Sequence, residues 1–101
     1  MAKRSKIARN EQRRKLVEKF ASRRAELRQR SVDLNLSLEE RMEARAELAL
    51  LPRNSAGVRV RGRCKVTGRP RGYIGRLGIS RVLVRDMAHN GLLPGLKKAS
   101  W

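Results

Sequence analysis

The chain has 101 residues, with 26 Lys+Arg against 9 Asp+Glu and a formal net charge of +17. Its only aromatic residues are Phe20, Tyr73 and Trp101, so a large apolar core is excluded, and self-repulsion opposes compaction of a small one. One histidine, one cysteine and nine carboxylates form no recognisable catalytic arrangement, and no apolar run approaches the roughly 20 residues of a membrane-spanning helix.

A single cysteine leaves no internal disulfide framework and fits a reducing cytosol. The opening Met1-Ala2-Lys3-Arg4 lacks the apolar stretch of a secretory signal. No cofactor and no small-molecule substrate are expected. Nineteen of the cations are arginine, whose planar fork suits bidentate phosphate contacts and stacking on bases. The partner these residues imply is a polyanion, since each neutralised phosphate releases condensed counterions.

From Met1 to Leu51 there is neither glycine nor proline, and the abundance of Ala, Leu, Arg, Lys and Glu predicts helix. Leu16, Phe20 and Leu27 fall on one stripe, flanked by Val17 and Ala21. Arg9, Arg13, Arg14, Lys15, Lys19, Arg23, Arg24, Arg28 and Arg30 surround that stripe. Two readings stand: a helix laid along phosphates, or a solvated helix with one narrow packed seam. The shortage of balancing acids at i,i+4 favours the first. The pattern breaks at Ser31 to Asn35. Ser37 and Glu40 then form a capping box that starts a second helix, with Glu39 and Glu40 at its positive end. It runs to about Leu51 and stops before Pro52. Glu39, Glu43 and Glu47 share an i,i+4 row, either a solvated face or one turned toward a basic protein neighbour.

After Pro52 glycines recur at short intervals, so long regular elements are not expected. Arg53 to Arg85 holds ten Lys/Arg and no acid. The interleaved glycines and Pro70 fix turns and let backbone approach a surface closely, which a merely solvated charge run does not need. Val58, Val60 and Val66 suggest a short ribbon. A third helix follows, with Ser80 as N-cap, Leu83 and Met87 one turn apart, Arg81 and Arg85 on its exposed side, and Asn90-Gly91 as its stop. Lone His89 at that helix end reads as a cap or phosphate donor. Pro94-Gly95 makes a turn, and Lys97, Lys98 and Trp101 follow.

Cys64 and Thr67 have the spacing of a C-x-x-C pair, as do Ser80 and Leu83. Two such cysteine pairs would complete a tetrahedral zinc site. Only one of the four positions carries a thiol, and leucine has no donor atom. No metal is therefore expected, and Cys64 reads as a small residue packed in a turn.

The run Arg63-Cys64-Lys65-Val66-Thr67-Gly68-Arg69-Pro70-Arg71-Gly72, then Gly78-Ile79-Ser80-Arg81, then Pro94-Gly95-Leu96-Lys97-Lys98-Ala99-Ser100-Trp101 resembles the bacterial small-subunit ribosomal protein 14 family. The resemblance extends over essentially the whole chain and is to the longer, zinc-free form rather than the short form with two C-x-x-C pairs. It implies a mainly α fold with irregular Gly/Arg-rich segments: an extended basic helical region over 1–52, then a compact RNA-binding module over 53–101, knuckle-like, with a short helix and no zinc. It further implies a cytoplasmic place in the small-subunit head on 16S ribosomal RNA near the A site, with small-subunit proteins 3 and 10 as neighbours.

The matching positions expected to touch RNA are Arg61, Arg63, Lys65, Arg69, Arg71, Arg76, Arg81, Arg85, Lys97, Lys98 and Trp101. Tyr73 and Trp101 are candidates for stacking on bases, packing being the other reading of Trp101. The chain departs from the family at Gly75-Arg76-Leu77, where Arg-Lys-Phe is usual, so a cation at 75 and a ring at 77 are missing. A free regulatory nucleic-acid binder would need more apolar material, and a membrane-active helix a broader apolar face.

The charge and the small core lead to an expectation about the free chain. Without RNA at low salt, circular dichroism should show reduced helix and no cooperative melt, both restored on adding 16S rRNA. A cooperative melt of the chain alone would refute this.

Overall fold

The computed structural model describes residues 2–100. Helix α1 spans Arg4–Val32, α2 spans Leu38–Leu50, and two single 3-10 turns follow at Arg53–Ser55 and Gly57–Arg59. A two-stranded antiparallel hairpin pairs β1, Tyr73–Ile74, with β2, Ile79–Ser80, in the register Tyr73↔Ser80 and Ile74↔Ile79. Helix α3, Arg81–His89, continues directly from β2. The chain divides into two compact units, one of residues 8–60 and one joining residues 2–7 to 61–100.

Helix α1 keeps helical geometry over 29 residues, about 44 Å, and from residue 8 onward belongs to the first unit. Its packed seam follows the 3,4 spacing Asn10, Arg13, Val17, Phe20, Arg24, Leu27, Ser31. Leu27 is fully buried, and Leu16, Val17 and Phe20 are half-buried, as the apolar stripe requires. Ala21, expected to flank that stripe, is exposed. Arginines take part in the seam instead: Arg24 Nε donates to Ser55 Oγ at 2.9 Å and its second nitrogen to the Pro52 carbonyl at 3.2 Å. Arg13 Nε donates to Asn54 Oδ1 at 3.3 Å. The long aliphatic stems of these arginines can lie along the seam while their heads bond to the 53–55 turn.

The capping box forms as the spacing predicts. Ser37 Oγ accepts from the Glu40 N–H at 3.3 Å, and Glu40 Oε2 accepts from the Ser37 N–H at 3.2 Å. Just upstream, Asp33 Oδ1 accepts from the Asn35 N–H at 3.0 Å, a local turn that ends one helix before the next begins. Pro52 holds Leu51 extended, at φ −65° and ψ 149°, and terminates α2.

The expected ribbon of Val58, Val60 and Val66 is absent. Val58 lies in a 3-10 turn and is 91% exposed, and the strand pair is seven residues beyond Val66. The hairpin forms there because Gly75 to Gly78 can close the turn: the Gly78 N–H donates to the Ile74 carbonyl at 2.8 Å, with Gly78 at φ +71°. Val66 stands outside the apolar interior of the second unit. It is 71% exposed, at the tip of the turn, whereas Ile79 is buried and Leu83 half-buried.

Helix α3 is delimited as predicted. Ser80 Oγ accepts from the Leu83 N–H at 3.4 Å. At the other end the Leu92 N–H donates to the Met87 carbonyl and the Gly91 N–H to the Ala88 carbonyl, with Gly91 at φ +71°, which is a Schellman motif.

Candidate nucleic-acid interface

The second unit is organised around Cys64. Its N–H donates to the Arg69 carbonyl at 3.0 Å, and its carbonyl accepts from the Gly68 N–H at 2.9 Å, closing a tight loop over Lys65 to Thr67. The next N–H, that of Lys65, donates to the Gly78 carbonyl at 3.1 Å, and the Arg81 N–H donates to the Gly72 carbonyl at 2.7 Å. These bonds tie loop, hairpin and helix together through backbone alone. Gly68, at φ +71°, sits so close to Ile7 that a Cβ would come within 2.5 Å of that side chain. The Ala2 N–H bonds the Thr67 carbonyl at 3.3 Å, so the start of the chain covers this loop.

Cys64 is buried, and its sulfur accepts from the Thr67 N–H at 3.5 Å. Burial pushes the thiol up, but donation from Thr67 and from the backbone of Thr67, Ser80 and Val66 outweighs it and holds the thiol down at about 6, against the ordinary 9.0. The surrounding donor set does not fit zinc. Ser80 Oγ is engaged in capping α3, Leu83 offers no donor atom, and no group of three or more His, Cys, Asp or Glu lies close enough to hold a metal among the described residues.

Around this knot lie the cations. From Arg53 onward the sequence has twelve Lys/Arg and one carboxylate, Asp86. Lys65, Arg69, Arg71, Arg76, Arg81, Arg85, Lys97 and Lys98 are exposed and form no ion pair among the described residues. Arg61 is exposed as well. Arg63 differs: half-buried, it donates to the Gly68 carbonyl at 2.9 Å and so braces the Cys64 loop from inside. Trp101 lies outside the described residues. Tyr73 is half-buried, with its ring against Gly62, where a Cβ would meet it at 2.7 Å. That contact occupies part of the ring expected to stack on bases.

The cations are not one continuous patch. Arg81, Arg85, Lys97 and Lys98 are brought together on a single cleft of about 310 Å³, with His89 beside them and Ile74, Val84, Ala88 and Leu96 completing its lining. Arg69 lines a smaller cleft on the other side of α3, with Thr67, Ser80, Val82, Leu83 and Asp86. Lys65 lies along Gly78 and Arg81 along Gly72, where a Cβ would meet their stems at 3.1 and 2.8 Å. The apolar lining of the larger cleft is absent from the expected site residues. The i,i+4 pair Val84 and Ala88, in step with Arg81 and Arg85, was its one signal.

In the helical unit, by contrast, three ion pairs form: Arg14–Glu11 at 3.3 Å, Arg23–Glu26 at 3.2 Å and Arg23–Glu47 at 2.6 Å. Arg13, Arg14, Arg23 and Arg24 are bonded within the protein, Lys19 lies over the Phe20 ring at 5.6 Å, and Arg9, Lys15 and Arg28 are exposed.

A family model described as Ribosomal protein S14p/S29e matches residues 47–100. Over 101 residues, and 100% of both chains, the sequence is 57% identical to a small ribosomal subunit protein uS14 of Kocuria rhizophila. The same full coverage holds at 54% identity for a small ribosomal subunit protein uS14 of Phenylobacterium zucineum and for uS14A of Mycobacteroides abscessus.

The low-lying thiol gives a testable pH dependence. A folded-state value of about 6 against 9.0 means the thiolate's contribution is fully present above pH ~9 and is lost as pH falls through ~6. Ultraviolet thiolate absorbance of the RNA-bound chain should titrate near 6. Cys64→Ser should remove that titration with little effect on RNA binding at neutral pH. A midpoint at the ordinary thiol value would contradict the bonding described.

Proposed function

We propose the following role on the premise that this chain belongs to the S14p/S29e family of small-subunit ribosomal proteins: it binds 16S rRNA in the head of the cytoplasmic small subunit, supports assembly of the head, and holds the RNA conformation near the A site. The carrying observation is the cationic surface over the Cys64 knot, where eight exposed cations, with no ion pair among the described residues, are set against one carboxylate, Asp86. Ion pairs occupy cations in the helical unit, but Lys65, Arg69, Arg71, Arg76, Arg81, Arg85, Lys97 and Lys98 are left to phosphates. No catalytic step belongs to this reading.

Protein neighbours, small-subunit proteins 3 and 10 in this proposal, are matched to α2. There Glu40 is used in the cap and Glu47 in an ion pair with Arg23, while Glu39 and Glu43 stay exposed beside Leu38 and Met42, 65% and 59% exposed. An apolar row edged with acid suits a basic protein surface.

The donor set at 64, 67, 80 and 83 supports a second element of the proposal, that this form substitutes for a zinc-binding paralogue when zinc is scarce. Its transcript should rise on zinc withdrawal. Unchanged levels, or a genome without such a paralogue, would end that idea.

The RNA-binding reading is tested by reconstitution. Arg69→Ala with Arg71→Ala should weaken incorporation into small subunits and lower the salt dependence of 16S rRNA binding by about two phosphate equivalents. Wild-type incorporation and an unchanged salt slope would count against the assigned surface.

A further inference from the structure

The cleft between α3 and the segment after Gly95 has a composition that phosphate binding alone does not explain. Helix α3 presents Arg81, Val84, Arg85 and Ala88 on one side, the i, i+3, i+4, i+7 positions of a single face. Asp86, the one acid of this unit, is on another side and lines the other cleft. The Pro94-Gly95 turn, with Gly95 at φ +81°, brings Leu96, Lys97 and Lys98 back to close the cleft. The result is an apolar lining from Ile74, Val84, Ala88 and Leu96 within a cationic margin.

A duplex backbone presents only phosphates and sugars and gains nothing from a recessed apolar lining. A single unpaired nucleotide has a use for both parts. Its base can leave water against the apolar side chains, and the phosphates on either side of it can meet the arginines and lysines. The size agrees, since a cleft near 300 Å³ is at the lower end of those that enclose a small organic ligand. Resting on the RNA-binding reading above, we propose that this cleft takes one extruded nucleotide of the bound RNA.

The side chains lining the cleft also select the base. Arg81, Arg85, Lys97 and Lys98 are hydrogen-bond donors only, and no Asn, Gln, Asp or Glu lines the cleft. On its major-groove edge guanine offers O6 and N7 and uracil offers O4, acceptors only, while the N–H groups of both bases lie on other edges. Adenine and cytosine carry their amino groups on that same edge, where they would face cations with no side chain to accept them apart from one nitrogen of His89. The nucleotide is therefore one that turns a carbonyl-bearing major-groove edge to the cations, guanosine or uridine.

The test uses small subunits reconstituted with the full-length chain and probed with two reagents, a carbodiimide that modifies unpaired guanine and uracil and dimethyl sulfate for adenine and cytosine. Two variants keep every charge: Ala88→Leu, which fills the cleft, and Leu96→Ser, at a position 48% exposed, which weakens the apolar lining. The wild type should protect one unpaired guanine or uracil. Both variants should incorporate normally and lose that protection, with reactivity rising several-fold at the same nucleotide. If Ala88→Leu fails to incorporate, Leu96→Ser decides alone. A footprint unchanged by the variants, or protection of an adenine or cytosine instead, overturns the nucleotide site while leaving RNA binding intact. Failure of the wild type to enter the subunit would fell the broader reading along with it.

Discussion

Between residues 61 and 100 ten cations face one carboxylate, and among the described residues the buried apolar side chains opposing their repulsion are Cys64 and Ile79. Hydrophobic burial on that scale, at about 25 cal/mol per Å², cannot hold a charged module of this size together. The module is instead held by backbone hydrogen bonds that converge on one loop: Cys64 to Arg69, Gly68 to Cys64, Lys65 to Gly78 and Arg81 to Gly72. Everything the surface does depends on that knot. It fixes where the hairpin turns and where α3 starts, and hence which cations share a cleft.

Cysteines at all four of positions 64, 67, 80 and 83 would let a metal close this loop. Here the remaining thiol takes a different part. Backbone N–H groups that point at a sulfur stabilise its anion, and the loop is drawn around it without a second ligand. Arg63 adds a brace through the Gly68 carbonyl, and residues 2–7 add a cover through Ala2 and Ile7. The loop is held by several weak bonds, each worth about 0.5–1.5 kcal/mol net. Such a module gains most from a polyanion that neutralises its exterior.

Arginine serves two purposes in this chain. In α1 and its surroundings Arg13, Arg23 and Arg24 bond to the 53–55 turn or to Glu26 and Glu47, so part of the basic face is structural. Beyond residue 60 Arg63 shows this inward use in a bond to the loop backbone, while Lys65, Arg69, Arg71, Arg76, Arg81, Arg85, Lys97 and Lys98 are exposed. A net charge read from composition counts both kinds alike.

The sequence by itself determined the helices, their caps and the basic character of the surface beyond residue 60, because these rest on local spacing and composition. Ser37 with Glu40, Ser80 with Leu83, and Gly91 after Asn90 each complete a hydrogen bond within a few residues, so their outcome needs no distant partner. The position of the strand pair, the exposure of Val66, the inward turn of Arg63 and the gathering of Arg81, Arg85, Lys97 and Lys98 around an apolar lining were decided only by tertiary structure. Each depends on contacts between segments far apart in the chain. In a segment this rich in glycine, local preference is too weak to choose among the turns that would make them. The acid-free stretch was plain in the sequence, and folding divided it into one arginine that braces the loop and others left facing solvent.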